Sequence, residues 1–265
     1  MMKFFTQPFA LLWKFRQLLY NTTCTDVRSR YAGTMLGMAW LAIYPLLFLS
    51  LYAVVYVAIY KVRFGEMKPF EYVLLIFAAL IPFLNFIEVL GLGVSSVTSN
   101  SALIKNTIFP IELIPVKSVL SCLPSLLIGL SLLEIALIVT GNFSVIQFTV
   151  VFAVLLQTVF SIGLCWILSA LNVFMKDLAQ IVPLLSLALM LVSPIAYTTD
   201  MVPERLQIFM YFNPLFFLID LYRSAMLGMP VSWLNAGIFT AISLFIFWVG
   251  FSLFTKLKKV FSDEC

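Results

Sequence analysis

Residues 35–60 read MLGMAWLAIYPLLFLSLYAVVYVAIY, an uncharged stretch in which an aromatic residue stands at every fourth position from Trp40 to Tyr60. An uncharged stretch of this length predicts a helix. At about 1.5 Å of rise per residue, the distance from Trp40 to Tyr60 is roughly 30 Å, which matches the hydrocarbon thickness of a bilayer. The stretch therefore predicts a transmembrane helix. Its aromatic residues are Trp40, Tyr44, Phe48, Tyr52, Tyr56 and Tyr60.

The composition of the whole chain is that of an integral membrane protein. Of its 265 residues, 63% are hydrophobic and only 11% are charged, and uncharged segments long enough to cross a bilayer recur along the entire chain. The sequence therefore predicts an all-α polytopic membrane protein with a single transmembrane domain, residues 1–265. The six predicted spans are approximately residues 35–60, 72–97, 118–140, 147–171, 178–197 and 233–254.

Several kinds of site are excluded by the residues that the sequence lacks. It has no histidine, which removes histidine-based nucleophiles, metal sites and proton shuttles. It has no Gly-Lys pair, and hence no Walker-type phosphate loop. The four cysteines share no metal-ligand spacing and predict no disulfide. We therefore expect no catalytic, metal or cofactor site in this chain, and the modest net charge of +4 does not favour nucleic acid as a partner.

The distribution of positive charge predicts the orientation in the membrane. Of the 16 Lys and Arg residues, eleven fall on one predicted side and five on the other, so the side with eleven should be cytoplasmic. Residues 1–31 then form a cytoplasmic segment, either an amphipathic helix in the headgroup plane or a plain juxtamembrane tail. Residues 255–265 form a cytoplasmic tail, and both termini are cytoplasmic.

The segment before the last span, residues 204–227, contains two apolar stretches that are each too short to cross a bilayer. They lie on either side of Asn213 and Pro214. Asp220 and Arg223 stand three residues apart in the second stretch, where they can pair on one helical face. Two re-entrant helices that form a gate near an outer mouth are one interpretation, and two helices on the outer surface are the other. The predicted gate residues are Asn213, Pro214, Asp220 and Arg223.

Two acidic residues stand within predicted spans, where ionisable groups are functional candidates. Glu134 is close to the predicted outer interface, where solvation is expected. Glu88 lies deeper, and it either lines a pore or forms hydrogen bonds between helices.

Eight stretches of the sequence follow one another at the spacing of a known family. They are DVRSRYAGTMLGMAW (26–40), YP (44–45), LIKNTIFP (103–110), LIP (113–115), LNVFMKD (171–177), SPIAY (193–197), VPE (202–204) and YFNP (211–214). Together they resemble the permease subunit of type-2 ABC exporters, and specifically those that export lipid-linked polysaccharide such as O-antigen or capsule. The sequence departs from that family at IPFLN (81–85), which lacks the Trp that usually follows the proline.

The resemblance implies six spans, an interface helix before the first, a cytoplasmic coupling helix between the second and third, and two short re-entrant helices before the last. It also implies a homodimer that forms one pore, with two separate nucleotide-binding ATPase subunits that carry ATP and Mg²⁺. The implied cargo is an undecaprenyl-linked polysaccharide, exported across the bacterial inner membrane. The residues implied in coupling to the ATPase are Arg28, Arg30, Leu103, Lys105, Phe109 and Glu112.

A pore that exports a polymer must hold sugar weakly enough to release it. Aromatic rings meet this need, because a contact with a sugar face should be worth on the order of 1 kcal/mol, like an aromatic pair. Steps of four residues drift by roughly 40° around a helix, so the whole aromatic series cannot face one pore. We expect the central rings, those of Tyr44, Phe48 and Tyr52, to face the sugar. Trp40 and Tyr60 are then interfacial anchors. The candidate channel residues are Tyr44, Phe48, Tyr52, Tyr56 and Tyr197.

Three other classes of function compete with polysaccharide export. Export of a small amphiphile or drug by the same superfamily would need a lateral opening lined by Leu, Ile and Val. An ion-coupled secondary transporter would need midplane acidic residues and internal repeats, and only Glu88 fits that description. A membrane-embedded transferase is disfavoured by the missing histidine and the lack of clustered carboxylates.

Overall fold

The computed structural model describes residues 2–55, 69–100 and 110–261, and within these ranges the chain is helical without strands. Tyr56, Leu103, Lys105 and Phe109, which the sequence assigns to the channel or the coupling segment, lie outside the described residues. The helices are α1 (Met2–Lys14), α2 (Arg16–Tyr31), α3 (Trp40–Ala53), α4 (Pro69–Val94), α5 (Ser96–Ser99), α6 (Leu113–Val139), α7 (Val150–Phe174), α8 (Leu178–Val192), α9 (Glu204–Met210), α10 (Pro214–Leu227) and α11 (Trp233–Leu257).

Four of these helices, α4, α6, α7 and α11, are long and apolar enough to cross a bilayer. Two more, α3 and α8, are apolar but have only 14 and 15 residues. α8 ends at Val192 because Ser193 precedes Pro194 and adopts an extended backbone, with φ −78° and ψ 141°. α3 continues in π-type turns to Val55, the last described residue before residues 56–68. The described residues thus contain four helices of spanning length and two shorter apolar ones, and the count of six spans stays a prediction.

α4 is the central helix of the bundle. In its most apolar segment 78% of the residues are buried within the chain, compared with 33% in α6 and in α11. It packs against α3, α6, α7, α8 and α10. Small side chains such as Ala78 and Ala79 are fully buried and let these neighbours approach. A polar residue in the middle of α4 therefore faces another helix or an internal space.

The bundle has two ends that can be defined along α4. Leu75 is near the beginning of the helix, where Arg223 of α10 reaches it, and Glu88 is near the other end, where Arg30 of α2 reaches it. Thirteen residues of helix place these two positions about 20 Å apart. We refer to them as the α10 end and the α2 end.

A close crossing of α7 and α11 fixes the position of the last helix. A methyl group at Gly163 would lie 2.6 Å from the backbone nitrogen of Phe247, and one at Gly250 would lie 2.2 Å from the carbonyl oxygen of Gly163. Since both obstacles are backbone atoms, neither glycine tolerates a side chain without separation of the helices. Close backbone approach at small residues is a common mode of helix association in membranes.

The segment between α8 and α11 contains the two short helices that the sequence places on either side of Asn213. The Asn213 side chain caps α10 by accepting a hydrogen bond from the Leu215 amide at 3.0 Å, and Gly228 ends the helix with φ 65°. Most side chains of α10 are buried in the bundle, whereas most of α9 is exposed. A re-entrant path through a membrane stays a prediction.

Residues 2–31 form two helices in place of one amphipathic helix. α1 carries most of the apolar residues, and its Phe9 ring lies 5.3 Å from the ring of Phe247 in α11. α2 is predominantly polar and contacts the beginning of α6. The apolar and polar residues that the sequence analysis assigns to a single segment therefore lie on two separate helices.

Candidate functional site

A cavity of about 850 Å³ lies among α3, α4, α6 and α8, and the last turn of α2 closes its inner corner. Its walls differ in chemistry. α3 contributes the rings of Trp40 and Tyr44, and the α2 end contributes Arg30 and Glu88. The remaining wall is mainly aliphatic and includes Leu41, Leu49, Leu84, Ile87, Leu187 and Met190.

The central aromatic residues of α3 form a stacked column. The ring centroids of Tyr44 and Phe48 are 6.2 Å apart at 27°, and those of Phe48 and Tyr52 are 5.3 Å apart at 26°. Of the three, only Tyr44, with 61% of its surface exposed, is among the described residues that line the cavity. Phe48 and Tyr52 are partly buried against the apolar core.

Trp40 also lines the cavity, although the sequence assigns it to the membrane interface. It lies at the first turn of α3, beside the last turn of α2, which brings the charged corner next to it. Trp40 faces the cavity because of how α2 packs. The aromatic pattern of residues 35–60 gives no information on that packing.

Arg30 is the centre of an ionic cluster at the α2 end. Its guanidinium contacts Asp26 Oδ2 at 3.2 Å and Glu88 Oε1 at 3.4 Å, and it donates a hydrogen bond to Ser121 Oγ. Lys117 Nζ contacts the other Asp26 oxygen at 3.0 Å. The cluster joins α2, α4 and α6, and its two cations and two carboxylates balance in charge.

The Asp26 carboxyl shows the electrostatic effect of this cluster outside the membrane helices. Burial raises its pKa, but the hydrogen bond and charge of Lys117, together with Arg30, outweigh burial, so the net pKa lies below its usual value. Asp26 is therefore ionised in the folded protein over the physiological pH range, and it holds both cations in place.

Glu88 reaches the cavity with a side chain that is 36% exposed. Its Oε2 atom is 3.0 Å from Ser125 Oγ, which is also 2.7 Å from the carbonyl oxygen of Cys122. Because a hydroxyl has a single proton, Ser125 divides its one hydrogen bond between these two acceptors. The Glu88 carboxylate is thus held by a long contact to Arg30 and a shared contact to Ser125.

Behind the cavity, uncharged polar side chains form a buried chain of hydrogen bonds that sequence reasoning missed. Tyr222 OH donates to Gln157 Oε1 at 2.6 Å, and Gln157 Nε2 donates to Asn85 Oδ1 at 3.1 Å. Asn85 Nδ2 in turn donates to the Cys122 carbonyl at 2.8 Å. The available signal was the presence of two amide side chains, Asn85 and Gln157, within spans that otherwise contain few polar groups.

The sequence expects Asp220 and Arg223 to pair, and the structure shows that this is wrong for the described residues. Arg223 donates to the carbonyl oxygens of Ile195 at 2.8 Å, Tyr197 at 3.2 Å and Leu75 at 3.4 Å. Asp220 instead accepts a hydrogen bond from Asn235 Nδ2 at 2.8 Å. Two of these carbonyl groups, of Ile195 and Tyr197, belong to the break after α8 at Pro194, where they have no helical partners, and the buried guanidinium satisfies them.

Other predicted gate and channel residues form hydrogen bonds at the end of α8, where the helix breaks. Asn213 Nδ2 donates to Ser193 Oγ at 2.9 Å, and Tyr197 OH donates to the Val192 carbonyl at 2.7 Å. Pro214 is in the first turn of α10. Tyr197 is not among the described residues that line the cavity, which ends at Met190 of α8.

The residues implied in coupling to an ATPase are spread over different environments. Arg28 is exposed on α2, whereas Arg30 is directed towards the cavity. Glu112 is buried, forms an ion pair with Lys258, and its carbonyl accepts a hydrogen bond from Trp166 Nε1 at 2.9 Å. Glu112 thus ties the beginning of α6 to the end of α11.

The ABC-2 type transporter family profile matches residues 17–227, which include α2 to α10. An O-antigen export system permease protein of Klebsiella pneumoniae is 30% identical over 250 residues, which cover 93% of this chain and 94% of that protein. A protein of the same name from Myxococcus xanthus is 25% identical over 264 residues, 96% of this chain and 97% of that protein. A polysialic acid transport protein of Escherichia coli is 22% identical over 230 residues, 83% of this chain and 87% of that protein.

Proposed function

This chain belongs to the ABC-2 type transporter family, which confirms the resemblance seen in the sequence, and from that premise we propose that it is the permease of an ATP-driven exporter of lipid-linked polysaccharide, of the O-antigen or capsule type. The relatives named as O-antigen export permeases match over nearly the whole chain, so the proposal concerns the complete transmembrane domain. The proposed location is the bacterial inner membrane, with both termini in the cytoplasm.

The observation that carries the proposal is the mixed lining of the cavity. Trp40 and Tyr44 offer flat ring faces, which stack on sugar rings with weak contacts that tolerate several orientations. Arg30 and Glu88 offer hydrogen-bonding groups at one corner of the same space. A cavity with both kinds of surface suits a carbohydrate better than a fully apolar molecule.

The proposed assembly is a homodimer with two separate ATPase subunits that bind ATP and Mg²⁺. In support, side chains that line the cavity remain largely exposed in one chain, including Tyr44 at 61% and Leu187 at 62%. One chain therefore does not enclose a conduit, and a second copy would supply the missing wall. The proposed cargo is linked to undecaprenyl, whose hydrocarbon chain would stay in the lipid.

The ATPase would act on the cavity through α2 and the coupling segment, residues 102–112. Arg30 contacts α4 and α6 from the last turns of α2, so a displacement of α2 alters the charged corner of the cavity directly. This arrangement provides a physical path from a cytoplasmic subunit to the substrate.

A second candidate is export of a small amphiphile by the same kind of complex, and the aliphatic wall of the cavity favours it. Leu84, Ile87, Leu187 and Met190 would suit a small apolar cargo. The two candidates differ in their need for the aromatic rings, because a small apolar cargo needs only apolar area.

The test is to delete the chain from its host and to restore it as the wild type or as Tyr44→Ala. Polysaccharide export predicts loss of surface polysaccharide on deletion, recovery with the wild type, and poor recovery with Tyr44→Ala. Tyr20→Ala, which removes an exposed aromatic residue of α2, is the control and should restore export. Unchanged surface polysaccharide after deletion would exclude the proposed cargo and leave the small amphiphile.

A further inference from the structure

The polar groups that line the cavity differ in how much hydrogen-bonding capacity the protein itself uses. Asn85 is only 5% exposed, and both atoms of its amide are engaged within the protein. The Ser186 hydroxyl donates to Val182 O at 2.8 Å, within its own helix. Glu88 is 36% exposed, and a carboxylate can accept about four hydrogen bonds. Its contacts to Arg30 and Ser125 leave capacity for a ligand.

The contacts that hold Glu88 are also weak ones. The distance between the Arg30 nitrogen and Glu88 Oε1 is 3.4 Å, whereas a charge-assisted hydrogen bond is usually about 2.7–2.9 Å long. The Ser125 proton is shared with the Cys122 carbonyl. A ligand hydroxyl that donates to Glu88 therefore competes with no strong existing bond, and Ser125 can keep its bond to Cys122.

The charge of the cluster decides which ligand chemistry is favoured. Arg30 and Lys117 are balanced by Asp26 and Glu88, so the corner has no excess of positive charge to attract a phosphate or another anion. Glu88 projects into the cavity with remaining hydrogen-bonding capacity, and a carboxylate is an acceptor. Acceptors recognise hydroxyl groups, and sugar rings carry several of them next to apolar faces.

We infer that the Glu88 carboxylate is a substrate-contacting group that accepts hydrogen bonds from hydroxyls of a neutral sugar unit, while Trp40 and Tyr44 provide the stacking faces of the same cavity. This inference rests on the proposed function and assigns the hydroxyl-recognition point within it. A single acceptor of this kind grips one unit at a time, which is compatible with a polymer that must move on.

The experiment uses the complete exporter, this chain with its ATPase partner, reconstituted in lipid. The probe is the lipid-linked polysaccharide extracted from the host of this chain, and the readout is the stimulation of ATP hydrolysis as a function of its concentration. Glu88→Gln keeps the shape of the side chain but replaces one acceptor oxygen by a donor. We expect the half-saturating concentration to rise about tenfold, equivalent to about 1.4 kcal/mol.

The matched control is Glu134→Gln, which neutralises another carboxylate within a membrane helix, on α6, that is not among the described residues lining the cavity. It should leave the half-saturating concentration unchanged. A purely structural role of Glu88 would lower the maximal rate or the accumulation of the complex, and would not move half-saturation alone. Glu88→Asp is the second variant, used if Glu88→Gln fails to accumulate. It retains the charge but withdraws the carboxylate by one methylene, so it should also raise the half-saturating concentration.

The possible results separate this inference from the proposed function. A wild-type complex that responds to the polysaccharide, with unchanged half-saturation in both Glu88 variants, overturns the inference alone. A lower half-saturating concentration in Glu88→Gln also overturns it, since loss of a negative charge strengthens binding of an anion through Arg30. A wild-type complex that does not respond, in a host whose surface polysaccharide survives deletion of the chain, removes the proposed function and this inference with it.

Discussion

Arg30 and Arg223 lie at opposite ends of the same bundle and are held by different kinds of partner. At the α2 end, Arg30 contacts two carboxylates and a serine hydroxyl, and it remains 23% exposed beside the cavity. At the α10 end, Arg223 donates to three main-chain carbonyls and is only 7% exposed. One arginine is surrounded by side chains and the other by backbone.

This difference indicates what each arginine can do. Side chains can rotate and exchange partners, so the Arg30 cluster can rearrange when α2 moves or when a substrate enters. Carbonyl groups are fixed by the path of the chain, so Arg223 can leave them only if the break after α8 rearranges. We therefore expect Arg223 to govern stability, and Arg30 to govern transport.

The largest expected effect is that of Arg223→Met, which removes the donor to the carbonyl groups of Ile195, Tyr197 and Leu75, two of whose hydrogen bonds to Arg223 are fully buried. We expect a loss of about 3 kcal/mol or more, because a buried polar group without a partner costs roughly 1–3 kcal/mol. The measurement is accumulation in the membrane and the midpoint of thermal unfolding in detergent. Arg205→Met, at an exposed position of α9, is the control and should have little effect. Equal behaviour of the two variants would contradict the structural role of Arg223.

The next effect concerns Arg30→Lys, which keeps the positive charge but loses the planar fork that reaches several partners at once. We expect destabilisation of only about 1 kcal/mol, because the side chain is partly exposed, together with a several-fold decrease in export. Arg16→Lys, at the exposed first residue of α2, should leave both stability and export near the wild type. The opposite result would be that Arg30→Lys reduces stability as much as Arg223→Met, and reduces export only in proportion to that loss of stability. That result would contradict the difference in role between the two arginines.

A smaller effect is expected for the buried hydrogen bonds that run between the two ends. Tyr222→Phe removes the donor to Gln157 and should cost about 1 kcal/mol, as for a typical buried hydrogen bond. Gln157→Leu removes the same bond from the other side. The double variant should lose less than the sum of the two single losses in thermal unfolding, since both break one interaction. Strict additivity would show that the two side chains do not interact in solution.

The smallest effect is the pH dependence that arises from Asp26. Its pKa is lower in the folded protein than in the unfolded chain, so its contribution to stability is fully present above the unfolded value of about 3.9. That contribution disappears as the pH falls through the lower, folded value. Asp26→Asn should therefore lose less of its thermal midpoint than the wild type between pH 6 and pH 3. A wild type and variant with parallel pH profiles would remove Asp26 from the acid response.

Most of the helical layout follows from local sequence. Long apolar segments predict α4, α6, α7 and α11, because a backbone in lipid must satisfy its own hydrogen bonds and helices do so within one segment. Asn213 with Pro214 predicts the beginning of α10. These features depend on residues close together in the chain, and for that reason sequence reasoning finds them.

The candidate site was only partly predictable. The aromatic pattern identified Tyr44 as a candidate, and the position of an ionisable residue within a span identified Glu88. Neither signal identified Trp40 as a cavity residue or Asn85 and Gln157 as a buried chain. The rotation of α3 against its neighbours decides which ring meets the cavity. Sequence periodicity gives the faces of a helix, and packing selects the face that is used.

The prediction of an Asp220–Arg223 pair failed for a related reason. Residues three apart on a helix are neighbours, and in isolation opposite charges at that spacing attract. Inside the bundle, unpaired carbonyl groups of the break after α8 compete for the same guanidinium. The cost of leaving those carbonyls unsatisfied outweighs the local attraction, and only the folded chain brings them together.

The sequence by itself determined that this protein is a helical membrane protein of the ABC-2 type, because hydrophobic length, chain breaks and ordered motifs are all local properties. The tertiary structure decided which polar groups meet. Arg30 and Glu88 are 58 positions apart, and Arg223 and Leu75 are 148 positions apart. Their contacts exist only because α4 runs from one end of the bundle to the other, with other helices packed around it. Packing of that kind depends on all the helices at once.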